Sequence, residues 1–158
     1  MEKEHQKSLT WADLEIMEAK HTLWRHDQPG GIRADFSGLH IHGVCFTDMC
    51  FAEASFAGAT LELCKMYRGA FNKCDFTGAT LYAIEAPDAA FYGADFSGAA
   101  VTSCIFTHAG FEDCIFTDAR LEQCDFSDCI YAARDFDQAE LVDCEGLDDI
   151  ASGPAMRM

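Results

Sequence analysis

The sequence predicts a single all-β domain: a square, parallel coil of stacked five-residue units behind a short N-terminal helix. Three observations carry this. Large apolar residues recur at every fifth position, through Phe96 and Val101 in ADFSGAAVTS and on to Leu141. A helix repeats near 3.6 residues and a strand near 2, so this beat fits neither. Residues twenty apart also match in kind: Phe36, Phe56, Phe76, Phe96, Phe116 and Phe136 are identical, and Ile41, Leu61, Leu81, Val101, Leu121 and Leu141 are all aliphatic. Two positions before each large residue usually stands a small one, as at Ala34, Ala54, Cys74 and Ala94. Four units therefore close one lap, like stacks on like, and each coil contacts only its neighbours.

Residues 1–33 form the N-terminal segment. MEKEHQKSLT carries charges where a secretory signal needs an apolar core, and no later stretch approaches about 18 apolar residues. The expectation is a soluble, unexported, cytoplasmic protein with no membrane segment. A helix is predicted over about 10–26: Thr10 and Asp13 form a capping box, and Leu14, Met17, His21 and Trp24 share one stripe. Pro29, Gly30 and Gly31 end it, and the helix is expected to cap the first coil. A second, weaker stripe of Ala12, Ile16, Ala19 and Leu23 faces solvent or a partner.

Residues 34–145 form the solenoid, about 5.6 coils and a rod of about 27 Å at a spacing of about 4.8 Å per coil. Gly38, Gly58, Gly78 and Gly98 make one column at a bend. In IEAPD (84–88) the large and small positions exchange, which conserves volume, and Pro87 is expected to distort its corner without losing register. Arg134 falls in the inward small column, where an unpaired cation is too costly. It is expected to turn out over the open end onto carbonyls or a carboxylate. Residues 146–158 are read as a cap or a trailing tail.

This AD[F/L]SGA-type beat over 34–145 resembles the pentapeptide-repeat proteins, a resemblance that implies a right-handed quadrilateral β-helix. The lead-in His21, Trp24, Gly30, Gly31 and Arg33-Ala-Asp also resembles a segment preceding such repeats in bacterial members.

No catalytic constellation emerges, and the protein is read as a non-enzyme without cofactor or metal. Ser37, Thr77, Ser97 and Thr117 form a hydroxyl column suited to turns. His40 and His42 flank inward Ile41 and lean outward, but a metal there would need a third ligand; His26 and His108 stand alone. Nine cysteines without CxxC spacing are read as reduced, small hydrophobes, with Cys64, Cys104, Cys124 and Cys144 in one column. Cys45 and Cys50, one before their centres, are the reactive candidates.

Charge offers the remaining functional signal. Residues 34–145 hold 19 acids and 5 bases. Over the rod that is about one net charge per 1.9 Å, against about 1.7 Å of axis for duplex DNA. Two readings follow. The first is a rigid, non-enzymatic interaction scaffold with an unknown protein partner, its acids serving solubility. The second, implied by the resemblance to quinolone-resistance members, is a DNA mimic binding a type II topoisomerase, DNA gyrase. That reading rests on outward Asp75, Asp95, Asp125, Asp128 and Asp135. Direct nucleic-acid binding is not expected. The assembly state is read as monomer or end-to-end homodimer, although the polar tail and unbroken register depart from the dimerising, loop-bearing members of that subgroup.

Overall fold

The period of twenty is realised as a parallel ladder that turns four corners per lap. The computed structural model describes residues 9–147. Side one joins Asp35, Ser55, Asp75, Asp95 and Ile115 in succession by parallel bridges. Side two is the one regular sheet, six strands in the order β1 to β6: His40–His42, Thr60–Glu62, Thr80–Tyr82, Ala100–Thr102, Arg120–Glu122 and Glu140–Val142. Its pairing is in register at twenty residues throughout, from Ile41 on Leu61 to Leu121 on Leu141. Side three runs through Cys45, Lys65, Glu85, Ile105, Asp125 and Glu145, and side four through Cys50, Ala70, Ala90, Gly110 and Ile130. The whole is a β-solenoid of about five turns preceded by one helix.

Corners fall on the same beat. On sides one, three and four a turn closes when the carbonyl of the central residue accepts from the N–H three residues on, as Phe36 from Leu39 at 3.1 Å and Phe51 from Ala54 at 2.9 Å. The residue two after the centre takes positive φ, as in a type II turn. Gly38, Gly58, Gly78 and Gly98 do so at φ 67–70°, and Asp118 continues their column at 60°. Most other corners use a side-chain-bearing residue: Asp48, Leu63, Arg68, Ala83 and His108 all have φ between 54° and 64°. Glycine thus marks only part of the bends. Each non-glycine corner costs about 1 kcal/mol or more, offset by the ladder bonds on either side.

Inside, the central residues from Phe36 to Phe126, and Phe136, are buried, while Tyr131 and Leu141 in the last coil are half-buried. The phenylalanines of side one stack with their ring planes almost parallel, with Phe56–Phe76 at 4.9 Å and 7°, and Phe76–Phe96 at 4.8 Å and 2°. Across the bore they meet edge to face, as Phe36–Phe46 at 83° and Phe106–Phe111 at 88°. Both arrangements suit the ring quadrupole.

Three local expectations meet the structure differently. Ile84 and Ala86 are both fully buried, and Glu85 keeps its bridges to Lys65 and Ile105, so the exchange leaves register intact. The anticipated distortion at Pro87 shrinks to a closing bond of 3.3 Å from Ala89 to Ala86. The reason is that the ladder uses the Pro87 carbonyl, which accepts from Arg68 at 3.1 Å, whereas the N–H at this turn position does not join it. Arg134 does turn outward: Ala133–Phe136 leaves the ladder as a 3₁₀ turn and exposes it. Among the described residues it bonds neither the expected carbonyls nor a carboxylate. Phe136 nonetheless stacks on Phe116 at 4.7 Å.

The ends need separate solutions, because an edge coil exposes backbone that interior coils pair. Helix α1, Trp11–Arg25, carries the capping box, Asp13 N donating to Thr10 Oγ1 and Thr10 N to Asp13 Oδ2. Its stripe buries Leu14 and His21, with Met17 and Trp24 half-buried, while Ala12, Ile16, Ala19 and Leu23 face solvent. The helix pairs first-coil backbone directly. Ala34 N donates to His21 Nδ1 at 2.9 Å, and His21 Nε2 donates to Ala52 O at 2.6 Å. Cys50 N donates to Glu18 Oε2 at 2.7 Å, and Arg33 Nε to Glu53 O at 2.7 Å. In the next coil Ala70 N finds Met49 O, so Glu18 stands in for an absent coil beneath. Leu39, in the inward small column, stays 42% exposed because no coil underlies it. At the far end Gly146 lies against the Phe126–Ser127 backbone, where a Cβ would approach to 2.4 Å, and Leu147 is buried. The rest of the 146–158 segment lies outside the described residues.

Two expected outcomes follow from this packing. Phe96→Ala removes a ring held between Phe76 and Phe116 and should cost about 3–5 kcal/mol in urea unfolding; a loss below 1 kcal/mol would contradict the stacked core. His21 is buried with both nitrogens engaged, and burial lowers its pKa below 6.5. The unfolded chain therefore binds the extra proton. Stability is full above about pH 6.5 and declines as pH falls through that value toward the folded pKa. His21→Ala should cost about 1–3 kcal/mol and flatten that decline in urea titrations at pH 7.5 and 5.5.

Candidate functional site

The outward surface of such a rod is set by the positions before and after each inward residue, so its chemistry is a matter of columns. Side one and its corner carry Asp35, Asp75, Asp95, Asp118, Asp135 and Asp137, with Arg134 as the one base at the far end. Side three, opposite, carries Asp48, Glu85, Asp88, Asp125, Asp128 and Glu145, interrupted by Lys65 and Arg68. Side two has Glu62, Glu122, Glu140 and Asp143 with Arg120, and side four only Glu53, Glu112 and Asp113 with Lys73. Acid is therefore concentrated on two opposite sides.

Within those columns the five nominated carboxylates are not gathered into one patch, and all are engaged. Asp75 Oδ1 accepts from Thr77 N at 2.9 Å. Asp95 Oδ1 accepts from both Ser97 N and Ser97 Oγ, and Asp125 Oδ1 likewise from Ser127, at 2.9 and 2.6 Å in each case. These are Asx turns, in which the Asp and the hydroxyl two residues on fix the bend between them. Asp35 and Ser37 repeat the device, and its hydrogen bonds lower the Asp35 pKa. Asp128 faces His108 Nε2 across 3.7 Å. Asp135 Oδ2 accepts from Asp113 N at 3.1 Å. The preceding coil shows what it replaces: Gly93 N donates there to the carbonyl of Glu112. Asp135 thus supplies an acceptor where the 3₁₀ turn withdraws the backbone.

Other polar groups also pair across coils. Arg68 binds Asp48 through two nitrogens at 2.7 and 3.0 Å, which holds the Asp48 carboxyl below its usual range. Arg120 reaches Glu140 at 2.8 Å and Glu122 at 3.3 Å. This group lines a shallow depression between Asp118–Arg120 and Asp137–Glu140. Tyr67 donates to Glu85 at 2.6 Å. Sequence reading missed these contacts, although all but Arg120–Glu122 join residues about twenty apart, which is the signal that could have found them.

The cysteines are all free thiols. Cys64, Cys74, Cys104, Cys114 and Cys124 are buried, and their sulfurs donate to carbonyls of the coil below, as Cys114 to Phe91 O at 2.8 Å. Burial pushes the thiols of Cys74, Cys114 and Cys129 up to about 12. Cys124 also rises to about 12, chiefly through its hydrogen bond with Cys104. Cys45 is exposed and Cys50 half-buried, beside Arg25.

With this geometry in view, the comparisons with known proteins are direct. The family model for pentapeptide repeats, in nine copies, matches residues 86–130. Residues 86–130 are thus matched as pentapeptide repeats, and the rest of the solenoid keeps the same five-residue beat. No curated protein sequence matches it. Among solved structures, it resembles trypsin-treated QnrB1, a plasmid-mediated fluoroquinolone resistance protein, at 17% identity and a TM-score of 0.50. That match covers 72% of this chain and 64% of QnrB1. It also resembles the pentapeptide-repeat protein Rfr23 from the cyanobacterium Cyanothece 51142, at 11% identity and a TM-score of 0.50, covering 71% and 83%. At these identities the likeness is one of fold. Among the described residues no helix is long and apolar enough to cross a membrane.

Thiol labelling of the folded protein at pH 7.5 should modify Cys45 first and Cys50 next, with Cys64, Cys74, Cys104, Cys114 and Cys124 reacting only on unfolding. Rapid labelling of all nine would contradict the buried columns.

Proposed function

We propose that this protein is a rigid, non-enzymatic interaction scaffold that offers the flat sides of its solenoid to a protein partner. The observation that carries the reading is the continuous ring stack, Phe36 to Phe136 at centroid spacings of 4.6–5.1 Å. It fills the bore and holds the outward columns at fixed pitch. A surface so pre-organised loses little conformational entropy on binding.

A second reading is favoured by one observation, the concentration of acid on sides one and three. Two parallel acidic stripes on a rod imitate the two phosphate backbones of a duplex, and DNA gyrase is the partner of that class the family resemblance brings in. Asp75, Asp95, Asp125, Asp128 and Asp135 would contribute as charge held at fixed positions by their turn bonds, rather than as free carboxylates.

Two proteins test both readings: the wild type and an Asp118→Lys/Asp137→Lys variant, which reverses charge on side one at exposed positions. Affinity capture is expected to retain a defined protein partner on the wild type and lose it, by about tenfold or more, on the variant. Identical capture by both argues against a side-one interface. Purified gyrase adds the second measurement. Inhibited supercoiling, or protection from a quinolone, by the wild type alone supports mimicry. No effect at micromolar protein removes it.

A further inference from the structure

Strand β1, His40–His42, is the first of its sheet, so one edge is free of any strand among the described residues. Alternation along the strand buries Ile41 and turns both flanking imidazoles to the same outer face. Glu62 lies directly over His42 in the parallel register. Its Oε1 is 3.1 Å from His40 Nε2 and 3.2 Å from His42 Nδ1, so a single carboxylate oxygen holds one nitrogen of each ring. The side chains are 51%, 63% and 34% exposed, open to solutes. The neighbouring outward residues on this side, Thr60, Thr80 and Tyr82, bring no cation.

Two imidazoles two residues apart on a strand, converging on a carboxylate, are a donor set for borderline divalent transition metals rather than for calcium or magnesium. Two ligands held at about 2.0–2.1 Å from a tetrahedral ion lie about 3.3 Å apart, close to the ring-to-carboxylate spacings seen here. We propose that His40 and His42 chelate a divalent transition-metal ion on the outer face of β1, with Glu62 as its anionic neighbour. Among the described residues no group of three or more His, Cys, Asp or Glu side chains is placed to hold a metal ion, so the two imidazoles are the ligands and Glu62 a neighbour only. The site is accordingly an open chelate: the exposed rings close on the ion and water completes its coordination. The net charge of −16 raises the local concentration of any cation at this surface.

The test uses the full chain with Cys45→Ser, which removes the exposed thiol as a competing ligand, and nickel chloride as the probe. Calorimetry should show one nickel ion per chain. NMR should show paramagnetic broadening centred on residues 40–42 and 62. The double variant His40→Asn/His42→Asn should lose that binding while keeping its circular dichroism, since both side chains are on the surface. Glu62→Gln should weaken it by about tenfold, the lower end of what such partners contribute. Unchanged nickel binding in the double variant, broadening centred on His26 or His108, or no binding by the parent protein would each overturn the proposal.

Discussion

Every feature of this protein depends on one constraint: residues twenty apart must sit on each other at the hydrogen-bonding distance of a parallel ladder. That spacing, about 4.8 Å, is also a good distance between offset aromatic rings. A column of phenylalanine therefore satisfies backbone and side chain at the same pitch. The interplanar angles of 2–14° along side one show the ladder aligning the rings. The same pitch serves the other sides, so rings meet face to face along sides one and four, aliphatic residues stack along side two, and rings of different sides meet edge to face across the bore.

The corners accept strain in return. A left-handed residue every five positions would suit glycine, yet Leu63, Arg68 and Ala83 occupy such corners. The ladder bonds flanking each corner over-determine it, so local preference yields to the repeat. Polar side chains serve the same end. Aspartate and serine or threonine two residues apart clamp the turns of sides one and three, which gives much of the acidic surface a structural role before any functional one.

Where the repeat stops, so does its supply of partners. Glu18, His21 and Arg33 satisfy first-coil groups that an interior coil would pair with another coil. The lead-in residues His21 and Trp24 thereby acquire a physical reason: one buried imidazole bridges two first-coil backbone groups, and the indole stacks on it at 5.3 Å. At the other end Asp135 replaces a withdrawn carbonyl, and Gly146 lets the chain pass flat across the last turn.

The sequence by itself determined the pitch, the number of sides, the inward residues and the cap helix, because each is a periodic quantity that the chain states many times over. Side membership of the acids was legible for the same reason. Only the tertiary structure decided that Asp75, Asp95, Asp125 and Asp135 are hydrogen-bonded, that Pro87 costs the ladder nothing, and that Arg134 leaves the core by a 3₁₀ turn. It alone brought Glu62 against His40 and His42. These depend on which backbone groups remain unpaired and on side-chain rotamers, and a period cannot encode what occurs once.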